Sequence, residues 1–140
     1  MKILLPVDGS EYTRRMLAYL AAHDELVAPG HQFIAFTAVA PIPGHAARFL
    51  ERGMLDEYYR SQADEVLKPI ERFAAMQGWN IEARHAVGHA AQAIAEFAQA
   101  ERPDLIVMGT HGHSALASMV LGSVANGVLA RCKLPVLLVP

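Results

Sequence analysis

Five short apolar runs, separated by stretches of helical periodicity, constrain this chain more than any other feature. The runs are Ile3 to Val7, Gln32 to Val39, the weaker Ile81 to Val87, Asp104 to Met108, and Val136 to Val139. Short runs with few polar interruptions suit strands covered on both faces. After the first run, Ser10 reads as a helix N-cap with Glu11 in the first turn. Leu17, Leu20, Ala21 and Leu26 then form a stripe that Pro29-Gly30 ends. A longer pattern carries Leu55, Tyr59, Ala63, Val66, Leu67, Ile70, Phe73 and Ala74, with Pro69 predicting a kink or two consecutive helices before Gly78. Gly88 opens a helix striped by Ala90, Ile94, Phe97 and Ala98, and Pro103 stops it. The last helix is expected over Gly122 to Arg131. Asn126-Gly127 is a hairpin signal in isolation. Its flanks do not alternate, so the helix reading is kept although Gly127 costs it about 1 kcal/mol against Ala.

The order is therefore β-α-β-α-β-α-β-α-β. Strict alternation predicts an α/β protein with a parallel sheet and helices on both faces, and right-handed crossovers leave few topologies. With 140 residues, the chain is expected to form one domain over 1–140. Its 53% hydrophobic content fills a core without metal or disulfide staples. Cys132 is the only cysteine, which excludes an internal disulfide, fits a reducing compartment and reads as a packing residue. A formal net charge of −2 argues against nucleic acid and anionic membranes as partners. No stretch approaches the roughly 20 apolar residues of a membrane span. The N-terminal apolar run stops at Asp8, too short for a signal peptide, so the cytoplasm is the expected location.

Ligands of open parallel sheets sit beyond the carboxyl ends of strands, where the strand order reverses. Two strand ends carry unusual residues: Pro6-Val7-Asp8-Gly9-Ser10, and Met108-Gly109-Thr110-His111-Gly112-His113-Ser114. The second continues to Gly122-Ser123-Val124, giving Gly109, two residues, Gly112, nine residues, Gly122 and Ser123. Glycines allow close backbone approach to an anion, successive N–H groups can cradle it, and a helix start favours negative charge. Ser123 adds a hydroxyl donor. The spacing is neither a Walker loop nor a dinucleotide fingerprint. The pairs His111/His113 and His85/His89 have no cysteine or carboxylate at metal-ligand spacing, so no metal site is expected.

Gly109-x2-Gly112-x9-Gly122-Ser123, Pro6-Val7-Asp8-Gly9-Ser10 and Leu134-Pro135-Val136-Leu137-Leu138-Val139 together resemble the universal stress protein family of the ATP-binding type. The likeness in element order covers the whole chain. It implies a doubly wound, Rossmann-like sheet of five parallel strands in the order 3-2-1-4-5, and it implies ATP, with Mg²⁺, as ligand. Asp8 would contact ribose or adenine, Pro6 would line the pocket, and Met108 and the backbone near Val39 would meet the adenine edge. Gly109, Gly112, Gly122, Ser123 and Val124 would surround the phosphates. The resemblance departs in two places. Gly88-His89-Ala90-Ala91 lacks a proline common at that helix start, and His111 and His113 stand where the family often has basic residues.

Plainer readings stand beside these. Asp8 can simply cap a turn, the glycines can be ordinary loop glycines, and Ser123 can be a helix N-cap. His111 and His113 either meet phosphate when protonated or lie in solvent. Between Gly109 and Leu121 there is no Lys or Arg, and no general base is evident beside Ser123, so hydrolysis is expected to be slow and no catalytic residue is assigned. The alternative is a scaffold of the same fold that works without nucleotide. In the order 3-2-1-4-5 the last strand is an apolar sheet edge, which predicts a homodimer through Val136 to Val139. Pro41 to Leu55 carries no recognisable chemistry and reads as a lid or a partner surface.

Overall fold

The computed structural model describes residues 1–26, 30–114 and 118–140. The five expected strands are β1 (Lys2–Pro6), β2 (Gln32–Val39), β3 (Ile81–Val87), β4 (Leu105–Gly109) and β5 (Val136–Val139). All pair in parallel, in the order β3-β2-β1-β4-β5. The helices are α1 (Glu11–Ala21), α2 (Gly44–Ala47), α3 (Arg52–Gln77), α4 (Ala90–Glu101) and α5 (Ser123–Arg131).

Alternation along each strand sorts the core into two layers. Ile3, Leu5, Phe33, Ala35, Val39, Val107 and Val139 pack under Met16, Leu17, Leu20, Leu67 and Ile70 of α1 and α3. Leu4, Ile34, Phe36, Ile106 and Met108 pack under Ala93, Ile94, Ala98, Ala125 and Val128 of α4 and α5. The chain runs from β1 to β2 on one side, then returns from β3 to β4 on the other. The carboxyl ends of β1 and β4 therefore flank the switch point.

Several helix details differ from the sequence reading. The first helix ends at Ala21, and Leu26 closes a separate 3-10 turn, Asp24–Leu26, still packed against the core. Pro29, the expected terminator, lies outside the described residues. Ser10 holds the N-cap position of α1, but its hydroxyl makes no cap bond and is buried without a partner. α3 is one continuous helix with Pro69 inside it. Buried Leu67 and Ile70 anchor it on both sides of the exposed proline. The loop expected after Pro41 contains the short α2, and the Ile42 N–H donates to the Tyr59 hydroxyl at 3.0 Å.

Gly127 lies inside α5, as the helix reading requires, and the packing explains why Gly is there. A Cβ at Gly127 would stand 2.5 Å from the Ala91 Cβ, so α4 and α5 approach too closely for any side chain.

Candidate functional site

The β1–α1 turn is built around one carboxylate. Asp8 Oδ1 accepts from the Ser10 N–H at 2.9 Å, and Gly9 supplies the left-handed φ of +76° that closes the turn. Thr13, buried in the first turn of α1, donates its hydroxyl to the same oxygen at 3.0 Å and accepts from the Asp8 N–H at 3.1 Å. The plain reading of Asp8 as a turn cap is thus correct for Oδ1. The other oxygen, Oδ2, lies against Gly112, where an added Cβ would overlap it.

The glycine loop leaves β4 and crosses this turn. None of its three motif glycines has a positive φ, so their role is steric. A Cβ on Gly109 would stand 2.8 Å from the Tyr12 Cβ. One on Gly122 would stand 2.9 Å from the Thr110 carbonyl oxygen and 3.1 Å from the His111 Cα. Both neighbours of Gly122 are backbone and cannot swing aside. Gly122 also donates its N–H to Thr110 O at 2.7 Å, which ties the end of the loop to its beginning.

Both loop histidines are engaged. His111 Nε2–H donates to the Met119 carbonyl at 2.8 Å, and its Nδ1 pairs with the Thr110 hydroxyl at 2.9 Å. Its ring packs on Tyr12 with centroids 5.1 Å apart. His113 Nε2–H donates to the Asp8 carbonyl at 2.7 Å and straps the loop to the β1–α1 turn.

α5 begins immediately after the loop. Gly122, not Ser123, is the N-cap residue, and no side chain caps the helix. The first intrahelical bond runs from the Asn126 N–H to Gly122 O. The N–H groups of Ser123, Val124 and Ala125 therefore have no partner within the helix.

These parts enclose a crevice of about 530 Å³ on the α4–α5 side of the sheet. Nine of the ten residues singled out from sequence line it: Pro6, Asp8, Met108, Gly109, Gly112, His113, Gly122, Ser123 and Val124. Val39 does not. It faces the α1–α3 layer, and its carbonyl accepts from the Gly88 N–H at 2.9 Å. A shift of one residue along a strand reverses the face, and it is Ala38 and Ala40 that reach the crevice. Sequence reasoning also missed Thr13, Ala90 and Ile94. Thr13 carried a legible signal, a hydroxyl residue one turn into a helix that follows an Asx turn. Ala90 and Ile94 belong to the apolar stripe of α4, which does not separate wall from core. Apolar walls (Ala38, Ile94, Met108, Ala125) meet a polar end formed by Asp8, the loop and the start of α5. Among the described residues no three His, Cys, Asp or Glu side chains converge as a metal site would require.

A doubly wound parallel sheet with a glycine loop and an uncapped helix start at its switch point defines a Rossmann-like α/β protein. A model of the universal stress protein family matches residues 1–140, and the chain belongs to that family. It is 42% identical to universal stress protein Rv1636 of Mycobacterium tuberculosis, with 98% of this chain and 94% of that protein covered. It is 35% identical to a universal stress protein of Thermus aquaticus, with 98% and 96% covered. Among solved structures, a universal stress protein in complex with cAMP superposes with a TM-score of 0.67 at 28% identity, covering 100% of this chain and 96% of that one. No helix among the described residues is long and apolar enough to cross a membrane.

Proposed function

We propose that this protein binds an adenine nucleotide, ATP with Mg²⁺ in the cell, and acts as a cytoplasmic regulatory module of the stress response. The observation that carries the reading is the convergence, in one crevice, of an apolar slot with the N–H groups at the start of α5 that have no partner within the helix. The slot suits a planar base, and the helix start suits phosphate. The cAMP complex of a relative supports an adenine ligand.

Asp8 Oδ2 is the carboxylate oxygen not used in the turn, and it is assigned to the ribose hydroxyls. Met108 and Ala38 are assigned to the base. Gly109, Gly112 and the N–H groups of Ser123 and Val124 are assigned to the phosphates. No Lys or Arg lines the crevice among the described residues. A triphosphate there relies on N–H dipoles, on His113 and on a metal ion carried in with it. The same lack of fixed cations near the terminal phosphate argues for slow hydrolysis rather than rapid turnover.

The β5 edge exposes parts of Val136, Leu137 and Leu138 to solvent, and pairing there across a two-fold axis is the proposed homodimer. A scattering mass of one chain at micromolar concentration rejects that assembly, and recovery outside the cytosolic fraction rejects the location.

One observation favours a second reading, a scaffold without nucleotide. Each motif glycine already has a steric reason within the chain: Tyr12, Asp8 or the Thr110–His111 backbone. Gly122→Val therefore cannot separate the two readings, because its side chain meets backbone before it meets any ligand. Calorimetric titration with ATP and Mg²⁺ beside Asp8→Asn does separate them. Asn keeps the Oδ1 acceptor of the turn and replaces only the assigned ribose acceptor. Saturable binding, weakened in folded Asp8→Asn, supports the nucleotide reading. Absence of binding in the folded parent establishes the scaffold instead.

A further inference from the structure

A second cavity lies at the opposite end of the sheet. With all strands parallel, α4 and α5 both run back and end at the amino edge, away from the nucleotide crevice. Between the outer face of α4 and the connection from α5 to β5 they leave a groove of about 680 Å³. That volume lies within the roughly 300–1,000 Å³ typical of sites for organic ligands.

Its lining is divided. Ala95 and Ala98 of α4, with Cys132 and Leu134, form an apolar floor. Arg102, Arg131 and Lys133 supply three cations, against one carboxylate, Glu96. Glu96 is held by Gln92, whose Nε2 donates to it at 2.9 Å. It lies six residues before Arg102, about 9 Å along the helix axis. Among the described residues none of the three cations has a carboxylate within 4.0 Å. Among the described residues Arg131 donates to the Gly127 carbonyl alone, at 3.1 Å. In a chain of formal net charge −2 this is a local excess of positive charge without internal compensation. The negative end of the helix dipole accounts for Arg131 in the last turn of α5. It does not account for the groove or for its apolar floor.

We propose that this groove binds a small organic carboxylate with an apolar tail or ring. The acid group meets Arg102, Arg131 and Lys133, and the apolar body lies on Ala95, Cys132 and Leu134. This site is separate from the nucleotide crevice, and the proposal stands whether or not nucleotide binds.

Three probes separate charge from apolar contact: octanoate, acetate and octylammonium, each titrated into ¹⁵N-labelled full-length protein. Octanoate is expected to shift the amides of Gln99, Arg102, Cys132 and Lys133 saturably, while acetate and octylammonium leave them in place. Arg131 and Lys133 are exposed, so Arg131→Gln with Lys133→Gln should fold as the parent does. That double variant is expected to weaken octanoate about tenfold or more, the loss of charge-assisted bonds. Equal response to octanoate and octylammonium, unchanged affinity in the double variant, or no saturable shift below about 10 mM each overturns the proposal. Shifts of the same amides with protein concentration alone would assign the groove to a second copy of the chain and overturn it as well.

Discussion

Replacing Gly127 by Ala sets two effects of known size against each other. In a helix interior Ala is favoured over Gly by about 1 kcal/mol. The new Cβ would stand 3.2 Å from Arg131 Nη1 and 2.5 Å from the Ala91 Cβ. The guanidinium can swing away. Ala91 belongs to the first turn of α4 and cannot. Carbon atoms rest at about 3.5–4.0 Å, so α4 and α5 must part by about 1 Å. Overpacking of this kind costs about 1–3 kcal/mol, and a net loss of about 1 kcal/mol is expected. In urea the midpoint should fall with the slope unchanged. Ala91→Gly removes the opposing methyl, so the double variant should recover most of the loss, with a coupling of about 1 kcal/mol or more. If Gly127→Ala proved more stable than the parent and uncoupled from Ala91, the close approach of α4 and α5 would be refuted.

Three further outcomes follow from the site. Thr13→Val removes both hydrogen bonds between Thr13 and Asp8 and should cost about 1–3 kcal/mol in a urea midpoint measurement, since the Asp8 N–H and Oδ1 lose a buried partner; an unchanged midpoint would remove Thr13 from the turn. Gly112→Ala places a methyl on Asp8 Oδ2 and should destabilise the parent more than it destabilises the Asp8→Ala protein; equal losses in both backgrounds would contradict the loop crossing. Burial pushes the Cys132 thiol above its ordinary range. The folded thiol then titrates above the unfolded one, so alkylation by iodoacetamide near about pH 8.5 should be slower in the native protein than in urea. A native rate equal to the unfolded rate would show the thiol to be accessible and unperturbed.

The architecture was legible because every strand and most helices announce themselves by period. Even Ile81–Val87, the weakest run, forms its strand at the sheet edge, where alternating exposure dilutes the apolar signal. Helix ends were less legible. Ser10 and Ser123 are good capping residues by type, yet one buries its hydroxyl unpaired and the other falls one residue inside the helix. Pro69 sits on the exposed side of a helix whose buried anchors outweigh one missing N–H, and no local pattern reports that. Along the crevice, the lining residues legible in sequence are those next to glycines or at strand ends. Val39 turns its side chain to the opposite layer, and because β2 is apolar on both faces no pattern along it tells which side chains border the crevice. Ala90 and Ile94 are indistinguishable from core by pattern, because wall and core look alike in a sequence.

The assignment of the crevice to an adenine nucleotide is tested most directly by a crystal structure of the protein grown with ATP and Mg²⁺. The base is expected between Ala38, Ile94 and Met108, the ribose at Asp8 Oδ2, and the phosphates over Gly109, Gly112 and the N–H groups of Ser123 and Val124. Nucleotide bound elsewhere, or a crevice still empty at saturating nucleotide, would contradict this assignment.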